Sequence, residues 1–179
     1  MSTLPDAELE RLWERHTELE FQTKDAAATV ATMTPDHYVN HVPVLTGGRG
    51  PEEMMAFYGK HFIPKMPADT ALRPMTRTVG NGRVIDEFTF SFTHDIEMDW
   101  MLPGVAPTHR PVEIPMVAVV QFEGDKIASE RIYWDQASVL VQLGLLEPQG
   151  LPVSGVEQAR RFEDPQLPPN ELMGDAWRP

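Results

Sequence analysis

Between Arg83 and Asp95 the chain alternates more cleanly than anywhere else. Asp86, Phe88, Phe90, Phe92 and His94 fall on one side, and Glu87, Thr89, Ser91, Thr93 and Asp95 on the other. Successive side chains of a strand point to opposite faces, so this run is predicted to lay its phenylalanines on a core as a half-buried strand. His94 then follows three phenylalanines inward, or closes the strand as a satisfied structural histidine. The pattern also divides the chain: apolar residues recur at helical spacing before about residue 71 and alternate after it.

Upstream, Ser2 to Phe21 reads as a helix, with Pro5 in its first turn and Asp6 and Glu8 at its N-terminal dipole. Leu9, Leu12, Trp13, His16 and Leu19 form its apolar stripe, where His16 is expected to be a packed or rim residue rather than a ligand. An Ala-rich helical piece from Lys24 ends at Thr34-Pro35, because the residue before proline leaves the α region. Asp36 to Val42 reads as extended, and Leu45 to Gly50 as a loop with three glycines. No Gly-Lys-Ser/Thr follows, so it is not a phosphate loop. Gly50-Pro51 starts a third helix with Met54, Phe57, Tyr58, His61 and Phe62 on its buried stripe.

Downstream, a strand over Leu72 to Val79 meets the Phe-rich strand through Gly80-Asn81-Gly82, a hairpin signal. The excursion from Glu97 to Arg110 carries Met98, Trp100, Met101 and Leu102, and covers a pocket or an interface. Pro111 to Phe122 is apolar enough to read as a strand buried on both faces. Glu123 to Lys126 is a turn, and Ile127 to Asp135 the last strand. A short helix with Val139, Leu140 and Leu143 follows and stops at Gly144. Prolines crowd the sequence after Glu147. Residues 1–148 are therefore expected to form the domain, and 149–179 a tail packed on it or on a partner.

Helices first and meandering antiparallel strands after predict an α+β fold, three N-terminal helices on one face of a curved sheet that forms a cone with a mouth. At 179 residues one core is the simplest expectation. A net charge of −12 argues against a nucleic-acid partner, since phosphate binding rests on Lys and Arg. The absence of cysteine removes thiolate chemistry and Cys-based metal sites. No apolar run approaches the roughly 18 residues that span a bilayer, and no apolar signal core opens the chain, so no membrane partner and a cytoplasmic location are expected.

Asp135, at the joint of last strand and helix, has two readings: a helix cap, or a base at the pocket mouth. Glu113 either faces inward beside it or lies outward in solvent. His41, His94, Glu113 and Asp135 would make a nitrogen–oxygen ligand set for a divalent metal. No compact His-x-x-x-His spacing supports that, so no metal and no cofactor are expected. Ile132 and Trp134, opposite in parity to Tyr133 and Asp135, are expected to face a sheet–sheet surface.

Tyr38-Val39-Asn40-His41-Val42-Pro43, a Gly-bearing loop, and a helix with Phe57 and Tyr58 resemble the first half of SnoaL-like polyketide cyclases of the NTF2-like superfamily. Trp134-Asp135 followed by Leu143-Gly144-Leu145-Leu146 resembles their C-terminal signature. The resemblance covers roughly residues 8 to 148. It implies a cone-shaped α+β barrel, a homodimer through the sheet, and cofactor-free acid/base chemistry on a small, largely apolar or aromatic molecule. Asp135 matches the cyclases' acid/base aspartate and His41 their recurrent histidine; His94 joins them by strand parity alone. Tyr38, Phe90, Trp100, Glu113 and Tyr133 are the expected substrate-binding residues. The cyclases' second histidine falls near Gln121 here, and Glu87-Phe88-Thr89-Phe90 lacks the Arg-x-Asp of limonene-type epoxide hydrolases. The reaction type (cyclase, isomerase or dehydratase) stays open, because one fold hosts many chemistries. A ligand carrier without chemistry and an assembly module are the alternatives, with metal-assisted hydrolysis or lysis behind them.

Overall fold

The computed structural model describes residues 4–177; the expected helix start at Ser2 and the last proline, Pro179, lie outside them. α1 (Asp6–Glu18) buries Leu9, Trp13 and His16 and runs into a π-helical turn, Leu19–Thr23. α2 (Ala26–Ala31) is capped by Asp25, which accepts from the Ala28 amide at 3.0 Å. β1 (Met33–His41), β2 (Thr46–Arg49) and α3 (Gly50–Ala56) follow, and α3 passes into a second π-helical turn, Phe57–Phe62. β3 (Ala71–Gly80), β4 (Arg83–Thr93), β5 (Pro111–Glu123) and β6 (Lys126–Tyr133) lead to α4 (Gln136–Gln142) and α5 (Glu157–Glu163).

The six strands form one sheet in the order β2-β1-β6-β5-β4-β3. Asn81 and Gly82 both take positive φ between β3 and β4, as a two-residue hairpin of matching twist requires. Met98, Trp100, Met101 and Leu102 of the excursion join the core, each at most 2% exposed. Trp100 packs against Phe90 and against Phe62 of the second π-helical turn, with ring centroids 5.9 and 5.0 Å apart.

Four local expectations are corrected. The sheet is mixed, because β1 runs parallel to β6, with Val39 opposite Glu130 and His41 opposite Ile132. Strands this far apart in sequence are free of the hairpin constraint that forces antiparallel pairing. The glycine-rich segment is not a loop but the edge strand β2, paired with β1. β5 is not buried on both faces. Ile114, Met116, Ala118 and Val120 are buried, and Pro115, Val117 and Val119 half-buried; an all-apolar run conceals the alternation that its surroundings impose. In β6, Ile132 faces the interior and Trp134 is buried, whereas Tyr133 is exposed, the reverse of the expected sheet–sheet surface.

Glycine in β2 has a spatial reason. A Cβ on Gly47 would sit 2.0 Å from the Val39 carbonyl oxygen, and its φ is +137°. Gly47→Ala is expected to pry β2 from β1 and to cost at least about 2 kcal/mol in chemical denaturation, the range in which backbone strain falls. An unchanged midpoint would show that the edge relaxes freely.

The C-terminal elements are tied to the sheet. Beyond the end of its pairing with β6, β5 presents Glu113, whose N–H and C=O are both taken at 2.9 Å by the Gln142 side chain. Ser138 Oγ donates to the Gly155 carbonyl at 2.9 Å, Arg73 pairs with Glu163, and Ala159 is fully buried.

Candidate functional site

A cavity of about 470 Å³ opens between the helices and the sheet. Its walls are mostly aromatic, with Phe21, Phe57, Phe62, Phe90 and Trp100 among them. The two π-helical turns deliver Glu20 and Phe21 from one side and Phe57, Tyr58 and Phe62 from the other. π turns inside helices recur at functional sites. At the rim, Asp86 accepts from Trp13 Nε1 at 2.6 Å and from Arg77 at 2.6 and 2.8 Å, and Arg77 also reaches Glu14 at 3.0 Å. This joins α1 to β3 and β4.

The polar centre is His16, Glu20 and Glu130, with the Tyr58 hydroxyl against it. All four are buried. His16 Nε2 lies 3.1 Å from Glu20 Oε1 and 3.1 Å from Glu130 Oε1, and 3.4 Å from the Tyr58 oxygen. Thr32 Oγ1 donates to the Thr29 carbonyl at 2.7 Å, so at 2.6 Å from His16 Nδ1 it must accept. His16 therefore carries a proton on Nδ1, and Nε2 is the atom turned to the carboxylates. Burial opposes charge on His16, but Glu130 and then Glu20 outweigh it and hold its pKa at about 10. Burial raises the Glu20 pKa, with the Glu130 charge adding and His16 opposing. Burial, then the same two carboxylates, push Tyr58 well up, so its hydroxyl stays protonated. Glu130 Oε1 is an ion-pair neighbour of Nε2, whose hydrogen bond goes to Glu20.

Of the residues expected at the site, His41, Phe90 and Trp100 line the cavity. His41 is boxed by Phe57, Phe62, Trp100 and Trp134 at centroid distances of 5.1–5.8 Å. Burial lowers its pKa to about 3, so the ring is neutral. His41 Nδ1 and Trp100 Nε1 are buried without partners among the described residues.

The other expected residues are not among the cavity's lining. Asp135 caps α4: Oδ1 accepts from Ala137 and Ser138 at 2.9 and 3.3 Å, and Oδ2 accepts from Gln158 Nε2 at 2.8 Å. Both carboxylate oxygens are engaged in joining β6, α4 and α5. Asp135→Ala is expected to cost about 1–2 kcal/mol, read as a lower melting temperature, while Asp135→Asn, itself a good cap, stays near wild type. His94 is inward and buried, as strand parity predicted, but Thr108 N–H donates to its Nδ1 at 3.3 Å, so it ties the excursion to β4. Burial and the neighbouring His109 lower its pKa. Glu113 sits on the face of β5 opposite Ile114 and Met116. Tyr38 and Tyr133 are exposed, since their neighbours Val39 and Ile132 take the inward positions. His41, His94, Glu113 and Asp135 do not converge as a metal set; among the described residues the group at ligand spacing is His16, Glu20 and Glu130.

Sequence reasoning missed that group. The one available signal was the four-residue interval from His16 to Glu20, which places both on one helix face. Nothing local ties Glu130 to them, because the pattern of β6 on its own favours the opposite parity.

A family described as the SnoaL-like domain matches residues 13–130. No curated protein matches the chain. Among solved structures, an NTF2-like protein of unknown function from Burkholderia pseudomallei K96243 is 19% identical, with a TM-score of 0.59 over 80% of this chain and 98% of that one. A SnoaL-like polyketide cyclase candidate from Jannaschia sp. CCS1 is 17% identical, with a TM-score of 0.60 over 82% and 99%. A protein of ketosteroid isomerase-like fold from Catenulispora acidiphila DSM 44928, in complex with trimethylamine, is 16% identical, with a TM-score of 0.57 over 79% and 96%. At these identities the likeness concerns the fold, which is NTF2-like.

Proposed function

Since the chain belongs to the SnoaL-like domain family, we propose that it is a cofactor-independent enzyme that moves a proton on a small, largely apolar carbonyl compound. The observation that carries this reading is Glu130: a buried carboxylate on the wall of an aromatic cavity, with one oxygen in ion-pair contact with His16. Such an oxygen is placed to take a proton α to a carbonyl. His16, held through Thr32, balances one of the two carboxylates. The enolate that forms needs a donor, and Trp100 Nε1–H, the neutral His41 and the Tyr58 hydroxyl are the candidates. Asp135 serves as a cap in this reading.

The expected homodimer belongs to the same reading, supported by the half-buried Val117 and Val119 on the outer face of β5. A cytoplasmic setting belongs to it too; no helix among the described residues is long and apolar enough to cross a membrane. So does the division into a domain over 1–148 and a tail, where the Gln158 and Glu163 contacts support the packing of the tail on the domain.

The test works whatever the product is. Wild-type protein is incubated in D₂O with a panel of apolar and aromatic ketones and followed by NMR. Catalysed exchange of α-protons for at least one of them is the expected result. A panel that binds with no exchange would favour the ligand carrier instead.

A further inference from the structure

The charges at the base of the cavity do not balance. Two carboxylates meet one imidazole, and His16, Glu20 and Glu130 are 0%, 6% and 3% exposed. Two buried carboxylates side by side are an unfavourable arrangement unless something compensates them. Among the described residues His16 is the charged side chain in contact with these carboxylates; its Nε2 hydrogen-bonds Glu20, the Tyr58 hydroxyl lies 3.4 Å from the same nitrogen, and Glu130 Oε1 meets Nε2 as an ion-pair contact at 3.1 Å.

We infer that His16 Nε2 and one oxygen each of Glu20 and Glu130 form a binding site for a single divalent first-row transition-metal ion. Three observations agree. One ligand atom of each residue lies within 4.8 Å of the others, and Nε2 is 3.1 Å from both carboxylate oxygens. An ion about 2.1 Å from each ligand spaces neighbouring ligands roughly 3.0–3.4 Å apart. The His16 ring is oriented as a metal-bound histidine is, its far N–H donated to a fixed acceptor: Nδ1 to Thr32 Oγ1 at 2.6 Å, and Thr32 in turn to the Thr29 carbonyl. A doubly charged ion over a neutral histidine and two carboxylates brings the total to zero. One nitrogen and two oxygens suit manganese, iron, cobalt, nickel or zinc better than magnesium or calcium. Glu20 and Glu130 also line the cavity, so a fourth position faces it. An ion there takes Glu130 as a ligand and silences the proposed base until it leaves.

The experiment measures binding directly and does not depend on the proton-transfer reading. Untagged full-length protein, stripped with chelator, is titrated with Co²⁺ and with Zn²⁺ by calorimetry, and Co²⁺ uptake is followed by its visible absorption. One ion per chain is expected, with a dissociation constant below about 0.1 mM. Glu20→Gln and Glu130→Gln are each expected to weaken binding by at least roughly tenfold while the circular dichroism is unchanged. His61→Gln, which removes the exposed histidine paired with Asp99, is expected to leave it unaltered. Absence of saturable uptake overturns the inference, as does uptake that survives in both glutamine variants or disappears in His61→Gln.

Discussion

His41→Leu is expected to flatten the acid side of the stability curve. In the folded chain His41 is boxed by four aromatic rings and burial lowers its pKa to about 3, against 6.5 when exposed. Below pH 6.5 the unfolded chain binds a proton that the folded chain refuses. The contribution of the neutral ring is therefore fully present above pH 6.5 and is lost as pH falls toward 3. The whole interval corresponds to about 4–5 kcal/mol, and the part between about pH 6.5 and 4 to roughly 3 kcal/mol. Leucine has no proton to gain, and it gives up the ring's hydrogen bond to the Thr46 backbone at every pH alike. Urea denaturation at several pH values between about 7.5 and 4 should give curves for wild type and variant that converge as the pH falls. Carboxylates titrate over part of this range too, but they do so in both proteins and cancel in the comparison. Curves that stay parallel would mean that protonated His41 is accommodated in the fold.

Glu130→Gln is expected to abolish α-proton exchange, by about 10²–10⁴-fold, the usual contribution of a positioned general base. Removing a buried charge often unfolds a protein by stranding its partner. Here the reverse is expected: Glu20 and His16 remain as a balanced pair, and the melting temperature should hold or rise. That separation makes the experiment decisive, because loss of activity cannot be attributed to loss of fold. Asp135→Asn is the paired control and should leave exchange within about threefold, a margin far smaller than the loss of a base. If Asp135→Asn abolishes exchange and Glu130→Gln does not, the base is the residue that the family signature pointed to.

The fold was legible in this sequence wherever local chemistry and burial pointed the same way. The Phe88-Phe90-Phe92 alternation gave β4 and the inward turn of His94. Asn81-Gly82 gave the hairpin, and Gly50-Pro51 the start of α3. The edge strand β2 was not legible, because its glycines answer to the approach of Val39 rather than to strand propensity. The parity of β6 was not legible either. Glu130-Arg131-Ile132-Tyr133 offers two nearly equivalent faces, and the choice falls to the neighbouring β1 and β5.

The same division runs through the site. The sequence by itself determined the class of fold and the aromatic character of the interior, since these rest on periodicity and on the cost of leaving large apolar rings in water; His41 came from the family resemblance, and the excursion carrying Trp100 fitted a pocket or an interface equally. Only the tertiary structure decided which carboxylate meets which histidine. His16, Glu20 and Glu130 come from the first helix, the π turn after it and the last strand, and a long stretch of chain separates the first two from the third. A buried ion group is selected by distances of a few ångströms and by what else is near enough to neutralise it, quantities that no local pattern encodes. For the same reason Asp135, conspicuous in the sequence, sits at the mechanical joint between strand, helix and tail.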